Sequence, residues 1–455
     1  MKISVIGGGG VRSMFLAKSL VQNAKRLGIS HIVFMDNNKK KLDIYGKMAK
    51  EVAKRIDSTV HFELTIDPLK AIQDANYIIT TIRVGEDDMR IKDERIALSH
   101  NILGQETTGA AGFSFAMRSV PVLAKYCEMI RKYGRKDVKV FNFTNPAGVV
   151  SQTLRDMGFD FTFGICDAPS GLLHSFAKLY GAGENEITGE CYGLNHLSFF
   201  NSIKLNNKEI MPDLLQDDRV YIETDMRFFD KKLAQHVGCI LNEYLYYFYY
   251  REEAISNILS AGVTRGEVIR DINIHMTEEL SHMDIEGDFD NCLSIYEKWY
   301  GKREGAYMAN ETGVKSNKLP FRFDIYEKDN GGYAGVALKY MEAEITGEPR
   351  DMILCVPNNG AIAGLKDTDV VEISCTITKD GYFTHKIEKI NELTMELIRR
   401  VKIYERLASA AIRNHSRVEA IDCLMVHPLI NSYSMADLLV NQYISTNAEY
   451  IEGWN

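Results

Sequence analysis

The order of apolar segments along the 455 residues predicts a doubly wound α/β fold built on a parallel sheet, followed by a second α+β domain. Three observations predict it. Strand-like and helix-like segments alternate through the first third of the chain, an unbroken run of glycines follows the first strand, and the alternation fails from Gly193 onward.

Residues 2–6 (Lys-Ile-Ser-Val-Ile) read as a buried strand, 7–10 as a tight turn, and 11–26 as a helix with Phe15, Leu16, Leu20 and Val21 on one stripe. Residues 31–35 supply a second strand ending at Asp36, 39–55 a second helix, and 77–82 a further apolar, β-branched strand. Residues 138–143 and 160–165 repeat the pattern, and each runs into a turn-forming sequence, Thr144-Asn145-Pro146 and Cys166-Asp167-Ala168-Pro169. A parallel sheet over about residues 1 to 190 follows, with residues 1–192 as a nucleotide-binding domain of Rossmann type. Residues 193–455 are expected to form the second domain, for substrate and metal binding and for oligomerisation, where helical candidates at 234–250, 391–413, 416–425 and 435–451 are mixed with a strand candidate at 370–377. Residues 300–330, punctuated by Gly301, Gly305 and Gly313, read as an irregular excursion.

Composition narrows the function classes. The chain carries 54 Lys and Arg against 62 Asp and Glu, a formal net charge of -8. No basic run exceeds Lys39-Lys40-Lys41, which argues against a nucleic-acid partner, since phosphate neutralisation needs a cationic surplus on one face. No apolar run approaches the ~18 to 20 residues that span a bilayer, and residues 1–6 lack the features of a signal peptide, so a cytoplasmic protein without a membrane partner is expected. Eight dispersed cysteines without a CxxC pair read as buried thiols rather than a disulfide framework.

Several residues can carry chemistry. Gly7, Gly8, Gly9 and Gly10 lie between strand and helix, where glycine lets backbone N–H groups approach a pyrophosphate. Gly7 and Gly9 fit the dinucleotide fingerprint while Arg12 holds its third position; Asp36, at the end of the second strand, suits a ribose hydroxyl and favours NAD over NADP. Cys166 ends a strand, and His196 sits in Gly193-Leu194-Asn195-His196; a thiolate with an imidazole could hold a divalent metal, although a satisfied core residue is the commoner fate of either. Arg90, Arg95 and Arg265 could clamp a phosphate, or form surface ion pairs. Gly104-Gln105-Glu106-Thr107-Thr108-Gly109 is composed like a loop over a site. The aromatic stretch at 244–250 is mostly packing material.

These segments, with Thr80-Thr81-Ile82-Arg83-Val84-Gly85, Asn142-Phe143-Thr144-Asn145-Pro146 and Asn358-Asn359-Gly360-Ala361-Ile362, resemble glycoside hydrolase family 4 over nearly the whole chain. Within that family the chain looks most like the 6-phospho-β-glucosidases. The resemblance implies a glycosidase that uses NAD and a divalent metal, Mn²⁺ foremost, rather than two carboxylates. Hydride passes from sugar C3 to NAD, a base removes the C2 proton, the aglycone leaves C1, water adds, and the hydride returns. It implies Cys166 and His196 as metal ligands, Tyr244 as base tuned by Glu106, and Asp167 as proton donor. Gly7 to Gly10, Asp36 and Thr81 would hold NAD; Arg90, Asn145, Asn195 and Arg265 would hold the 6-phosphoglucoside or phosphorylated disaccharide. A homodimer or homotetramer is expected. Two departures stand out: Val11-Arg12-Ser13 replaces the Ser-Ser-Tyr-Thr-Pro-like sequence of many members, and Asp167 occupies a position where phospho-β members carry Asn and phospho-α members an acidic Asp. The alternatives are a 6-phospho-α-glucosidase, a lactate/malate-type dehydrogenase that would accumulate NADH, and a non-catalytic NAD sensor.

Overall fold

The computed structural model describes residues 1–314, 320–329 and 334–454. Six strands pair in parallel: β1 (Lys2–Ile6), β2 (His31–Met35), β3 (His61–Thr65), β4 (Tyr77–Thr80), β5 (Lys139–Asn142) and β6 (Thr162–Gly164). Their spatial order, β6-β5-β4-β1-β2-β3, is the doubly wound Rossmann order, so the chain reverses direction between β1 and β4 and a crevice opens at the C-terminal ends of those strands. Alternate side chains separate onto two apolar clusters. Ile3, Val5, Ile32, Phe34 and Ile79 face one layer, while Ile6, Val33, Met35, Ile78 and Val140 face the other, which is why these strands read as continuous apolar runs. The mixed sequence of β3, unread as a strand above, suits its place at the sheet edge.

The sheet does not end near residue 190. The antiparallel strands β7 (Ile187–Leu194), β8 (Leu197–Leu205), β9 (Lys208–Glu209) and β10 (Ile240–Leu241) form a smaller second sheet. The chain then returns to the first: β11 (Arg350–Pro357), β12 (Val370–Thr378) and β13 (Gly381–Thr384) extend it antiparallel beyond β6, making nine strands. The short β6 would otherwise leave its backbone edge unpaired, and no local periodicity announces a partner so distant in sequence.

The helices differ from expectation in bounded ways. Residues 11–26 divide at Asn23 into Ser13–Gln22 and Ala24–Leu27, and the second helix runs through a π turn, Leu42–Gly46, into Lys47–Ile56. The single helix expected over 234–250 is replaced by Lys231–Val237, stopped at left-handed Gly238 (φ 72°), then β10, a 3-10 turn Glu243–Leu245 capped by Asn242, and Tyr246–Tyr249. The supposed excursion at 300–330 begins inside the regular helix Phe289–Gly305; residues 315–319 and 330 of it lie outside the described residues. The last helices, Glu392–Asn414, Arg417–Val426 and Tyr433–Thr446, lie close to the expected spans. Among the described residues no helix is long and apolar enough to cross a membrane. The eight cysteines are unpaired; seven are buried and Cys166 alone is partly exposed.

A buried polar knot ties the C-terminal helices to the first lobe. Arg118, in the long helix Gly109–Tyr133, donates to Asp93 Oδ2 at 2.6 Å and to Asn447 Oδ1 at 3.1 Å, while Asn447 Nδ2 donates to Ser114 Oγ at 2.7 Å. Removing one partner of such a pair strands a buried charge. Arg118→Met is expected to cost roughly 3–5 kcal/mol, read as a lower urea midpoint; an unchanged midpoint would show that the knot contributes nothing.

Candidate active site

The crevice at the switch point is floored by backbone. Gly7 (φ 102°) adopts a conformation that suits glycine, and a side chain there would run into the Thr81 carbonyl; at Gly8 it would meet Phe34 Cβ at 2.6 Å. The N–H groups of Gly7 and Gly8 donate to the Met35 carbonyl at 2.9 and 2.8 Å, and Thr81 N–H donates to that of Ile6 at 2.9 Å. Asp36 turns toward this floor, its Oδ2 accepting from Gly9 N–H and its Oδ1 from Asn38 N–H, both at 2.9 Å. Gly7, Gly8, Gly9, Gly10, Asp36 and Thr81 therefore share one surface, with the N-terminus of helix Ser13–Gln22 behind it. Such a side-chain-free cradle suits a dinucleotide pyrophosphate.

Beside it stand the candidate metal ligands and base. β7 and β8 are joined by the two-residue turn Asn195-His196, and His196 holds φ 61°, the left-handed region where a side chain beyond Cβ is strained. The turn presents the buried imidazole, whose Nδ1 meets Thr107 Oγ1 at 3.1 Å and whose face stacks on Tyr244 at 3.7 Å between centroids and 3° between planes. Burial lowers its pKa to about 3 against the pull of Glu106, so the ring is neutral, the state in which one ring nitrogen keeps a lone pair for a metal. Cys166, after β6, lies within electrostatic reach of Tyr244. Burial, with Glu372 and Asp167 nearby, pushes its thiol well above the ordinary range. A soft thiol and an imidazole make a reasonable donor pair for a divalent ion.

Tyr244 comes from the 3-10 turn that replaced the expected helix. Its phenol is pushed up by burial first and by Glu243 next, with Tyr307 opposing. The Tyr307 hydroxyl donates to Glu243 Oε1 at 3.2 Å, and burial, with Asp225 nearby, raises the Glu243 carboxyl to about 8. Asn195 Nδ2 donates to Glu372 Oε1 at 3.1 Å and Ser198 Oγ to Oε2 at 2.7 Å; burial raises Glu372 to about 7.

Charge on the opposite wall is concentrated in arginine. Glu106 is gripped by Arg83 and by Arg90, whose Nη1 is 2.9 Å from Oε1, and Arg90 Nε also donates to Glu94 at 2.8 Å. Burial alone would raise the Glu106 carboxyl, but the two guanidiniums hold it down at about 2. Arg265 donates to the Arg303 carbonyl at 3.1 Å while its buried Nη1 finds no partner among the described residues. Burial and mutual repulsion lower both Arg265 (with Arg303 and Arg90) and Arg303 (with Arg12 and Arg83). Glu311 beside Arg265 and Asp87 beside Arg303 offset part of this charge, and the unpartnered Nη1 of Arg265 is the group best placed for an anion. Asp167, half exposed, lies 4.0 Å from Arg12. Asn145 precedes the cis Pro146 and accepts from Ala147 N–H at 3.4 Å. Arg95 is absent from this wall: its exposed side chain pairs with Glu267 on the surface.

With this geometry in view, the comparisons decide the family. Residues 2–182 match the family 4 glycosyl hydrolase model and residues 191–430 the family 4 glycosyl hydrolase C-terminal domain. The chain belongs to family 4 of the glycosyl hydrolases. It is 26% identical to the 6-phospho-beta-glucosidase BglT of Thermotoga maritima, over 99% of this chain and 100% of that one. It is also 25% identical to the phospho-alpha-glucosidase PagL of Clostridium acetobutylicum, over 100% and 98%. The 6-phospho-beta-glucosidase of T. maritima solved with manganese, NAD⁺ and glucose-6-phosphate superposes with a TM-score of 0.81 at 25% identity, covering 99% of both chains.

Glu243, Arg303, Tyr307 and Glu372 were not singled out in the sequence, and Arg83 and Thr107 stood inside recognised segments without a role of their own. Only Glu372 carried a signal, as an acidic residue inside an apolar strand of the pattern Val-Val-Glu-Ile-Ser-Cys. The Glu106 carboxyl, depressed from its ordinary 4.5, contributes stability that is present above that value and fades as pH falls toward 2. Glu106→Gln is therefore expected to lower the denaturant midpoint at pH 7 and to narrow, without closing, the gap with wild type at pH 3. A gap independent of pH would refute the charge assignment.

Proposed function

We propose that this family 4 enzyme hydrolyses 6-phospho-β-glucosides, with residues 1–192 holding NAD and residues 193–455 supplying most of the sugar and metal contacts. The observation that carries the reading is the stack of Tyr244 on His196 with Cys166 beside it: a base candidate pressed against a metal-donor pair. Gly7 to Gly10, Asp36 and Thr81 would hold NAD, and Cys166 and His196 the Mn²⁺. When bound, NAD supplies a hydride acceptor for sugar C3 and the ion supplies Lewis acidity at the C2 and C3 oxygens, making the C2 proton acidic.

The chain's own groups do the rest. Arg265, and Arg303 with it, receive the 6-phosphate, whose charge relieves the repulsion between them. Arg90 is already spent on Glu94 and Glu106, so its part is to hold Glu106 in place while its remaining N–H groups face the sugar. Asn145 and Asn195 bond sugar hydroxyls. Tyr244 takes the C2 proton; its raised phenol must give up its own proton first, and positive charge brought to Cys166 and His196 favours that. Asp167, at the N-terminus of helix Ala168–Leu179, protonates the departing aglycone oxygen.

The β-linkage rests on the relatives: the T. maritima enzyme is a 6-phospho-beta-glucosidase by name, as is a 25% identical enzyme of Escherichia coli. Asp167 favours the α-linkage, since phospho-α members place their acid there. A dehydrogenase reading leaves Cys166 and His196 without a role. Paired α- and β-linked chromogenic 6-phosphoglucosides, assayed with NAD and Mn²⁺, decide the matter; cleavage of the β-linked one without net NADH is expected, and cleavage of the α-linked one alone would reverse the assignment.

Tyr244→Phe is expected to reduce kcat by about 100-fold or more with NAD and Mn²⁺ binding retained, and wild-type product formed in D₂O should carry deuterium at C2. Product whose C2 hydrogen never exchanges would sink the elimination route. Arg265→Ala should raise KM for the phosphorylated substrate by roughly 10- to 100-fold, the weight of lost charge-assisted hydrogen bonds, while an unphosphorylated analogue is little affected. Equal losses on both would remove the phosphate contact.

A further inference from the structure

At the opposite end of the sheet from the crevice lies a second group of metal-ligating side chains. His31 and His61 are the first residues of β2 and β3 and stand directly across from one another in the parallel register; Glu63, two residues farther along β3, projects from the same face. One ligand atom from each of the three lies within 4.8 Å of the others. The imidazole rings are 4.6 Å apart between centroids, and His31 Nε2 is 3.4 Å from Glu63 Oε2. That Nε2 is buried, with the Glu63 carboxylate as its polar neighbour. The surrounding lysines do not block the cluster. Lys2 Nζ is held by the carbonyls of Lys70 and Gln73, and Lys70 lies 4.0 Å from the other Glu63 oxygen with a mostly exposed side chain.

We propose that His31, His61 and Glu63 form a binding site for a borderline divalent transition metal, Zn²⁺ or Cu²⁺ in chemistry, that staples the edge strand β3 to β2. Two imidazoles and one carboxylate are the donor set such ions prefer, whereas Mg²⁺ and Ca²⁺ call for oxygen alone. Donors on paired strands are held by the backbone ladder, so small side-chain rotations bring them to the ~2.0–2.2 Å bonds of a Zn²⁺ site. The exposed side of His61 leaves room for water as a fourth ligand. The site is separate from the crevice: His31 and Met35 are four residue steps apart along β2, about 13 Å at ~3.3 Å per residue. β3 has a neighbour on one side only, so a cross-link there holds an edge strand to the rest of the sheet.

The test uses the full chain and Zn²⁺ alone in equilibrium dialysis, comparing wild type, His61→Gln, Glu63→Gln and His196→Ala. His61→Gln should bind one Zn²⁺ fewer per chain than wild type, and the same decrement should appear when it is combined with His196→Ala, which separates this site from the proposed catalytic one. Glu63→Gln keeps both imidazoles and should weaken the site about tenfold. One equivalent of Cu²⁺ added to His196→Ala should give an electron paramagnetic resonance spectrum with hyperfine splitting from two imidazole nitrogens, lost on adding His61→Gln. Zn²⁺ should raise the Tm of His196→Ala and not that of the double variant, since binding to the folded state alone stabilises it. Glycosidase activity with NAD and Mn²⁺ should be unchanged in His61→Gln. Identical Zn²⁺ stoichiometry and Cu²⁺ spectra with and without His61 would overturn the proposal.

Discussion

One carboxylate, Glu106, bridges two guanidiniums, Arg83 and Arg90, at the edge of the crevice, with Glu94 as the second partner of Arg90, and the surrounding site depends on that arrangement. Charges taken out of water must be paired, and here the pairing spans separate pieces of chain: Arg83 after β4, Arg90 on the following helix, and Glu106 on the loop before the long helix Gly109–Tyr133. Fixing Glu106 fixes its neighbour Thr107, whose hydroxyl meets the His196 ring, and His196 in turn sets the plane on which Tyr244 stacks. The ion triad thus orients the proposed metal ligand and base through one side-chain contact at each step.

Protonation within this cluster is divided by environment. Glu106, between cations, stays ionised; His196, buried without a strong ionic partner, stays neutral; Tyr244, beside Glu243, holds its proton. A neutral imidazole is the state that can donate a lone pair to a metal, and a phenol that holds its proton in the bare protein becomes a base when positive charge is added next to it. These protonation states are compatible with the proposed metal near Cys166 and His196 and with the proposed phosphate near Arg265 and Arg303.

The fold delivers these groups by three independent devices. The doubly wound order puts the glycine turn, Asp36 and Thr81 at adjacent strand ends, a two-residue hairpin turn with a strained histidine raises His196, and β12, returning to the first sheet after a long excursion, inserts Glu372 beneath Asn195 and Ser198. The last device makes the two lobes interdependent, since the Ser374 hydroxyl on β12 also accepts from Cys191 N–H and donates to the Gly189 carbonyl of β7.

By itself the sequence determined what short-range physics encodes. The parallel strands showed because both faces are buried, the glycine turn because Gly7 and Gly8 abut Thr81 and Phe34, and the C-terminal helices because a 3.6-residue stripe repeats over many turns. The family segments named Cys166, His196, Tyr244 and Glu106, and the resemblance named Arg265, yet nothing local in the sequence distinguished Arg265, in the cationic wall, from Arg95, on the surface. The helix expected over 234–250 failed because Gly238 and Asn242 outweigh aromatic periodicity once β10 finds a partner in β8. Tertiary structure alone decided the nine-stranded sheet, the grip on Glu106, the stack of Tyr244 on His196 and the pairing of His31 with His61. Each of these depends on contacts between residues far apart in sequence, and both strand pairing and charge neutralisation are properties of the partner as much as of the residue.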